Sequence, residues 1–277
     1  MHPYTIAFIG AGNMARSLIG GLIADGYDPG RLHASDKSEA ALKRLQDDFG
    51  IAVHAVNGEA ARKADVIVLA VKPQIVAEVA GALAVEPGTE GKLVISIAAG
   101  IRIADLEGWL GSGTALVRAM PNTPALVQSG ATALCANVQA GKAWCEAAET
   151  ILRAVGLTLW IEDEAQMDAV TALSGSGPAY FFLVMEALET AGRRLGLPAD
   201  TARVLTIQTA FGAAKMALEG TDSSPAELRA RVTSPGGTTE RALSVLQQGG
   251  IEALFERALA AGHARSIELS KYLGGKE

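Results

Sequence analysis

Cysteines and aromatic residues are scarce in this sequence. Its 277 residues include only two cysteines, Cys135 and Cys145. They do not form a CxxC pair, which argues against a cysteine-based zinc site or a disulfide framework. Aromatic residues make up 5% of the chain, although 49% of it is hydrophobic. The core must therefore consist mainly of Ala, Val, Leu and Ile side chains, which favours close helix packing.

Basic clusters and long apolar runs are also missing. The formal net charge is -6, and no segment rich in Lys and Arg supplies the positive surface that nucleic acids require. The most apolar helical segment, residues 179–185, ends at Glu186, far short of the ~20 residues that cross a bilayer. The N-terminus lacks the pattern of a signal peptide. We expect a cytoplasmic protein with no nucleic-acid or membrane partner.

The first part of the chain alternates apolar runs with amphipathic segments. Strands are predicted at residues 5–9, 32–35, 66–71, 93–97 and 115–119, and helices at residues 14–24 and 39–48 among others. Because strands that alternate with helices favour parallel pairing, this pattern predicts a doubly wound parallel sheet. After Pro124, one more helix and a strand at residues 157–161 complete this α/β part.

From Glu164 onward, every segment has the spacing of apolar residues that is typical of helices. The predicted helices include residues 178–195, 201–218 and 251–273. They are rich in Ala and Gly and poor in aromatic residues, so we expect their apolar faces to pack against a second subunit. A compact helical domain that packs on its own is the alternative.

A glycine-rich turn follows the first predicted strand. Gly10 permits a tight turn, Gly12 lets a pyrophosphate approach the backbone, and the small Ala15 lets the next helix pack closely on the sheet. The N-terminus of that helix offers N–H groups and the positive end of its dipole. This strand–turn–helix arrangement predicts a Rossmann dinucleotide-binding domain.

The second predicted strand ends at the position that reads the ribose of a dinucleotide. Asp36 at this position would accept hydrogen bonds from the ribose hydroxyls and repel a 2′-phosphate, which favours NADH. Ser35, Lys37 and Ser38 could instead hold the 2′-phosphate of NADPH, so the sequence leaves the preference open. A third interpretation makes Asp36 only the N-cap of the following helix.

Further candidate loops follow other strands, at the edge where open α/β sheets bind ligands. Lys72 could contact a ribose or phosphate, and Pro73 begins the next helix. The small residues Ala98, Ala99 and Gly100 suit the close approach of a nicotinamide. The two prolines of residues 120–124 make a rigid turn.

Two glycine-rich strings lie in the helical half. Residues 174–178 look like the G-x-S-x-G motif of hydrolases, but they join two helices, so we interpret them as a helix-breaking hinge. Residues 234–239 place two glycines and two threonines at a predicted helix start, where N–H groups and hydroxyls suit a carboxylate. A simple capped helix start is the alternative.

The residues that alcohol oxidation needs are missing. None of the four histidines lies in a general-base motif, and no lysine occupies the position that hydroxy-acid dehydrogenases use. Oxidation of an alcohol requires a base that takes the hydroxyl proton. A protonated imine is already electrophilic and needs only placement, a hydrogen-bond partner and a hydride. The residue inventory therefore favours reduction of a C=N bond.

Taken in order, the motifs resemble the pyrroline-5-carboxylate reductase family over residues 4–272. They are IGAGNMA (9–15), AVKP (70–73), SIAAGI (96–101), MPNTP (120–124), DAVTALSGSGPAYFF (168–182) and VTSPGGTTE (232–240). LSGSGPAY and SPGGTT are specific to that family, whereas the N-terminal motifs are shared with other 6-phosphogluconate-dehydrogenase-like reductases. The resemblance implies reduction of 1-pyrroline-5-carboxylate to L-proline, the last step of proline biosynthesis, with NADPH or NADH and without a metal.

The resemblance also implies a domain plan and a set of site residues. A Rossmann domain (residues 1–162) precedes an all-α dimerisation and substrate domain (residues 163–277), which interlocks with its partner in a homodimer within a decamer. The active site combines the cofactor of one subunit with residues 234–239 of the other. The cofactor-binding candidates are Gly10, Gly12, Asn13, Met14, Ser35, Asp36, Asn57, Ala70, Val71, Lys72, Pro73, Ala98 and Ala99. The substrate-binding candidates are Glu164, Ser234, Gly236, Gly237, Thr238 and Thr239, and Thr239 is the catalytic candidate.

One departure from the family pattern and two competing functions stay open. Many family members carry a small neutral residue where this chain has Asp36, which puts their usual NADPH preference in doubt. The same architecture serves imine reductases and β-hydroxyacid dehydrogenases. A non-catalytic nucleotide-binding protein is the alternative from another class.

Overall fold

The computed structural model describes residues 4–220 and 222–274. The chain divides into two compact units according to its internal contacts. The first unit comprises Met1–Ser176 together with Ala261–Glu277, and the second comprises Gly177–Ala260. The end of the last helix therefore belongs to the same unit as the N-terminal part of the chain. The predicted division into functional domains at residues 162 and 163 stays a prediction.

One eight-stranded sheet forms the centre of the first unit, with the strand order β3-β2-β1-β4-β5-β6-β7-β8. Its strands are β1 (Ile6–Ile9), β2 (Leu32–Ser35), β3 (Ala52–His54), β4 (Val66–Leu69), β5 (Leu93–Ser96), β6 (Ala115–Met120), β7 (Gly130–Ala136) and β8 (Gly156–Trp160). The strand order reverses beside β1, which pairs in parallel with both β2 and β4. Ligands of open α/β sheets bind at such a switch point.

Helices cover both faces of this sheet. They are α1 (Asn13–Ala24), α2 (Glu39–Phe49), α3 (Asn57–Lys63), α4 (Val76–Ala84), α5 (Ile103–Leu110) and α6 (Lys142–Arg153). Successive residues of a strand point to opposite faces, and Ile6 and Phe8 of β1 join the core that α1, α2 and α6 cover. Ala7 and Ile9 join the core beneath α3, α4 and α5. The prediction of a doubly wound sheet is confirmed.

The sheet differs from the predicted one in β3 and β7, which the sequence analysis did not identify. The short β3 is only partly buried, and β7 begins with a glycine and contains three alanines, a composition with low strand propensity. A 3₁₀ turn at Thr123–Val127 is the short connection between β6 and β7. Because parallel strands need a long crossover, β7 returns antiparallel to β6. The sheet is therefore parallel, as predicted, except at the pair of β6 with β7.

The described residues after β8 form helices joined by short turns, as predicted. Its helices are α7 (Met167–Val170), α8 (Gly177–Arg194), α9 (Ala199–Glu219), α10 (Pro225–Arg231), α11 (Thr238–Gln248) and α12 (Ile251–Leu273). The expected hinge at residues 174–178 is a π-helical turn, Thr171–Gly175, which closes when Ser176 donates its N–H to the carbonyl of Thr171 at 2.9 Å. Gly177 then begins α8.

The second unit leaves most of its large apolar side chains in solvent. In α8 and α9 the buried residues are Gly177 and Ala202, and Phe181 is 67% exposed. Other exposed side chains of these two helices are Phe182, Leu183, Leu188, Val204, Leu205 and Phe211. Apolar surface of this extent is typical of an interface between subunits. Within the ranges that the structure describes, no helix is both long enough and apolar enough to cross a membrane.

Candidate dinucleotide and substrate sites

The glycine-rich turn joins β1 to α1 and is held close to the end of β4. Gly10 has a φ of +108°, and a Cβ atom on it would lie 2.6 Å from the carbonyl oxygen of Ala70. Only glycine fits there. A Cβ atom on Gly12, in contrast, would meet no protein atom within 4 Å. The turn is therefore tight on its inner side and open where Gly12 faces outward.

The N-terminus of α1 has the properties of an anion site. Gly12 is the N-cap and provides no side-chain hydrogen bond, and the first turn of α1 contains no acidic residue. The first N–H groups of a helix lack partners within the helix and carry partial positive charge. Asn13 lies on the exposed side of this turn and Met14 is half-buried. This geometry fits the pyrophosphate of a dinucleotide.

Asp36 links the end of β2 to the glycine turn. Its Oδ2 accepts a hydrogen bond from the backbone N–H of Ala11 at 2.8 Å, and its Oδ1 accepts one from the N–H of Ser38 at 2.8 Å. The N-cap of α2 is Ser38, whose hydroxyl accepts a hydrogen bond from the N–H of Ala41. The alternative in which Asp36 caps this helix is therefore wrong.

Ser35 and Asn57 meet beside Asp36. The Ser35 hydroxyl is fully buried and donates a hydrogen bond to Oδ1 of Asn57 at 2.9 Å. Asn57 is the first residue of α3 and lies partly in solvent. After β4, Ala70 donates its N–H to the carbonyl of Ile9 at 2.8 Å. The ends of β1, β2 and β4 thus place these candidates around one edge of the sheet.

Lys72 and Pro73 continue this edge beyond β4. Lys72 is exposed and caps a 3₁₀ turn, Pro73–Ile75, that leads into α4. Val71 is half-buried, and its backbone nitrogen would lie 3.0 Å from a Cβ atom on Gly10. The structure therefore brings the residues of the AVKP motif together with the glycine turn.

The β5–α5 loop, residues 97–102, contacts the end of α12. Ala98 is buried and Ala99 is half-buried, so only the second of these small residues reaches solvent. Gly100 has a φ of +78°, and a Cβ atom on it would lie 3.2 Å from Cδ1 of Leu273. No local pattern predicts this contact, because the two partners are far apart in the chain.

Glu164 makes contacts that the sequence analysis did not identify. Its Oε1 accepts hydrogen bonds from the guanidinium of Arg118 at 2.8 Å and from the backbone N–H of Ile103, the first residue of α5, at 2.8 Å. Arg118 on β6 is only 4% exposed. Burial and the nearby Glu164 carboxylate raise the pKa of the Cys135 thiol, which keeps that cysteine protonated and unreactive.

Asn122 joins two motifs that are distant in sequence. Its Nδ2 donates to the carbonyl and the hydroxyl of Ser174 at 3.3 Å each, and its Oδ1 accepts the N–H of Ala131 at 2.9 Å. A Cβ atom on Gly175 would lie 2.6 Å from Cε of Met120. The loop after β6 and the π-helical turn therefore form one packed structure.

The remaining substrate candidates lie in the second unit, at the start of α11. Gly236 has a φ of +71° and donates its N–H to Oε2 of Glu240 at 2.7 Å. Gly237 is the N-cap without a side-chain hydrogen bond, and its own N–H binds the carbonyl of Ser234. Thr238 and Thr239 therefore provide the N–H groups of an uncapped first turn.

In the described parts of the chain, no group of three or more His, Cys, Asp or Glu side chains is arranged to hold a metal ion. The candidate chemistry thus rests on two uncapped helix starts, a carboxylate beside the glycine turn, and threonine hydroxyls.

Comparison with known proteins agrees with both halves of this description. A family model described as pyrroline-5-carboxylate reductase dimerisation matches residues 164–269, and one described as NADP oxidoreductase, coenzyme F420-dependent, matches residues 5–100. A pyrroline-5-carboxylate reductase from Pseudomonas aeruginosa is 55% identical over 269 residues, which cover 97% of this chain and 98% of the relative. The chain belongs to the pyrroline-5-carboxylate reductase family.

Solved structures of this family share the fold over nearly the whole chain. A pyrroline-5-carboxylate reductase from Coxiella burnetii is 48% identical, covers 97% of this chain and 99% of its own, and superimposes with a TM-score of 0.93. A pyrroline carboxylate reductase from Plasmodium falciparum, solved with NADP bound, is 31% identical over 98% of this chain and 99% of its own, with a TM-score of 0.85. The predicted succession of a Rossmann part and a helical dimerisation part is confirmed.

Membership of this family explains the exposed apolar helices of the second unit. The dimerisation model covers these helices, and a monomer would leave Phe181 and its neighbours in solvent at a cost of about 25 cal/mol per Å² of apolar surface. The chain is a homo-oligomer.

Proposed function

We propose that this chain catalyses the NAD(P)H-dependent reduction of 1-pyrroline-5-carboxylate to L-proline, the final step of proline biosynthesis. The observation that carries the proposal is the 55% identity to a reductase of this name across 97% of the chain. The residue inventory supports it, because imine reduction needs no side chain that removes a hydroxyl proton.

The edge of the sheet around β1 fits a nicotinamide dinucleotide, which supplies the hydride when it is bound. The N–H groups of Asn13 and Met14 at the uncapped start of α1 would hold the pyrophosphate beside Gly12. Asp36 would accept hydrogen bonds from the ribose, and the half-buried Ala99 would lie beside the nicotinamide. The other cofactor-binding candidates of this edge are Gly10, Ser35, Asn57, Ala70, Val71, Lys72, Pro73 and Ala98.

The start of α11 suits the substrate. Its uncapped N–H groups and the Ser234 hydroxyl would bind the carboxylate of the ring. The Gly236 N–H is already bonded to Glu240, so Gly236 contributes its left-handed conformation rather than a free donor. The Thr239 hydroxyl would donate to the ring nitrogen and orient the C=N bond. The carbon of that bond gains a hydride, and its nitrogen gains a proton from water, which completes the amine.

The proposal includes a site shared between subunits. The segment 234–239 of one subunit would complete the cofactor edge of its partner, the dimers would assemble into a decamer, and the enzyme would work in the cytoplasm. The dimerisation family of residues 164–269 supports the dimer. Residues 1–162 and 163–277 would be the functional domains, and Glu164 would lie near the substrate at their boundary.

A direct assay tests this proposal. The purified protein is mixed with racemic pyrroline-5-carboxylate, and the nicotinamide absorbance is followed with NADPH and NADH in parallel. We expect oxidation of the cofactor with proline as the product. If a folded oligomer turns over neither cofactor, the substrate assignment is wrong. Turnover of a 3-hydroxy acid or a bulky imine would favour the alternative enzymes, and binding without any turnover would favour a non-catalytic nucleotide-binding protein.

A further inference from the structure

The Asp36 carboxylate is fixed in position by the backbone on both sides. One oxygen accepts the N–H of Ala11 from the glycine turn, and the other accepts the N–H of Ser38, each at 2.8 Å. Swinging the side chain away would leave both N–H groups without this partner, at a cost comparable to two charge-assisted hydrogen bonds. The negative charge therefore stays beside the ribose position.

The Ser35 hydroxyl is not available to hold a 2′-phosphate. Ser35 is 0% exposed, and its hydroxyl donates its proton to Asn57. The Ser38 hydroxyl accepts the N–H of Ala41 at the start of α2 and keeps its own proton as a donor. The alternative from the sequence analysis, in which both serines and Lys37 hold NADPH, thus loses Ser35.

The cationic side chains near Asp36 pair with other carboxylates. The Lys37 side chain is 89% exposed and its Nζ lies 3.7 Å from Oε1 of Glu78. Arg16 of α1 pairs with Asp48 and lies over the ring of Phe49 at 5.2 Å. Neither cation contacts Asp36 and neutralises it.

We infer that Asp36 makes this chain select NADH over NADPH. This inference rests on the proposed function for its use of a nicotinamide dinucleotide. A carboxylate has about four lone-pair sites, so Asp36 retains acceptors for ribose hydroxyls after binding Ala11 and Ser38. A 2′-phosphate would bring like charge against a carboxylate that cannot move away, and such a repulsive element is an efficient way to exclude a competitor.

Equilibrium binding tests the inference without catalysis. NADH and NADPH are each titrated into the wild-type oligomer in the absence of substrate, and the Kd values come from the change in nicotinamide fluorescence. We expect NADH to bind at least about tenfold more tightly, a factor that corresponds to about 1.4 kcal/mol. Equal affinities, or tighter binding of NADPH, would overturn the inference.

Two variants test whether the difference between the NADH and NADPH affinities comes from the Asp36 side chain. Asp36→Ser should reduce the ratio of the two Kd values to near unity, chiefly by tightening NADPH binding. Asp28→Ser is the matched control, because Asp28 also accepts a backbone N–H, from Gly30 at 2.8 Å, in a turn away from the glycine loop. It removes the same charge and should leave the ratio unchanged. A shift of equal size in both variants would contradict a local role for Asp36.

The outcome is independent of whether the substrate assignment is right. If both dinucleotides bind with the expected ratio but pyrroline-5-carboxylate is not reduced, the proposed reaction fails and the inference stands. If proline forms faster with NADPH and NADPH binds more tightly, the reaction stands and the inference fails. The ratio of the two Kd values in the wild-type protein tests the inferred selectivity even if Asp36→Ser proves too unstable to purify.

Discussion

The partly buried Glu164 and the buried Arg118 form an ion pair that also fixes the start of α5. The same carboxylate oxygen of Glu164 accepts the guanidinium N–H and the backbone N–H of Ile103, each at 2.8 Å. Ile103 directly follows the β5–α5 loop, which contains Ala98 and Ala99. The pair therefore holds one end of the loop that we propose to border the nicotinamide.

Glu164→Gln should destabilise the first unit. It removes the charge that Arg118 faces while Arg118 stays 4% exposed, and an unpaired buried cation costs on the order of 3 kcal/mol. Because the Glu164 side chain is 27% exposed, solvent screens the pair and the loss of stability should not exceed this value. Urea unfolding at a fixed protein concentration measures the loss. The control Glu268→Gln breaks an exposed pair with Arg265 and should cost less than about 1 kcal/mol.

The same variant separates this structural role from the predicted contact with substrate. If Glu164 binds the substrate directly, Glu164→Gln raises KM for pyrroline-5-carboxylate more than it changes the Kd of the dinucleotide. If Glu164 acts only through Arg118 and Ile103, the stability falls and KM for the substrate stays near the wild-type value.

Thr239→Ala should lower kcat on the order of 100-fold, the usual effect of removing one hydrogen-bond donor from a reacting centre. The dinucleotide Kd should stay nearly unchanged, because Thr239 lies in the first turn of α11 and not at the start of α1, where the dinucleotide would bind. Steady-state kinetics and fluorescence titration measure the two effects. Thr238→Ala is the neighbouring comparison, since Thr238 is exposed and Thr239 is half-buried. A collapse of dinucleotide affinity in Thr239→Ala would refute the assigned role.

Alanine at Gly10 should lower the stability of the protein, whereas alanine at Gly12 should weaken the binding of NADH. In Gly10→Ala the new Cβ would lie 2.6 Å from the Ala70 carbonyl at a φ of +108°, so we expect a loss of stability of about 1–3 kcal/mol. Gly12→Ala meets no protein atom within 4 Å and has a φ of -73°. It should fold normally yet bind NADH at least about tenfold more weakly, because its methyl group occupies the space of the pyrophosphate. Thermal unfolding and NADH titration on both variants check this; normal NADH affinity in Gly12→Ala would contradict the proposed position of the cofactor.

The stability of the first unit should fall in mild acid because of a histidine pair. His33 Nδ1 on β2 lies 3.1 Å from His54 Nε2 on β3, and burial lowers the pKa of both rings below their ordinary value of 6.5. Lys63 lowers both pKa values further, while Glu59 raises that of His54. The unfolded chain thus binds more protons below pH 6.5, so the free energy of unfolding decreases as the pH falls through this window.

His33→Asn tests this origin of the acid sensitivity. The variant should lose less stability than the wild type between pH 6.5 and about pH 5, the range in which histidines change charge. Urea unfolding at several pH values provides the measurement. His263→Asn on α12, outside the pair, is the control and should follow the wild-type curve. Equal slopes for all three proteins would show that other groups cause the effect.

The sequence predicted the sheet and helices where local patterns were strong. The apolar run of β4 and the glycine turn after β1 can each be recognised from a few consecutive residues. By contrast, β7 has an alanine-rich composition without strand propensity, and its place beside β6 is fixed by tertiary packing. Strand β7 can be identified only from its pairing with β6, and a local sequence pattern does not reveal that pairing.

The candidate site shows the same division between local and distant information. Gly10 and Asp36 were identified from their positions at strand ends, because topology alone places them at the binding edge. The bond from Asp36 to Ala11, and the pair of Glu164 with Arg118, join residues that are remote in sequence. Such contacts depend on the path of the chain, and a single sequence does not record them.

One continuous helix has a consequence for how the activity should vary with protein concentration. Helix α12 begins in the second unit and ends in the first, where Leu273 packs on Gly100 of the β5–α5 loop. The last residues of α12 thus border the loop that we propose to lie beside the nicotinamide, whereas its first residues belong to the unit with the exposed apolar helices. Because the proposed active site is shared between subunits, specific activity should fall on dilution below the dissociation constant of the oligomer, even for molecules that still bind dinucleotide.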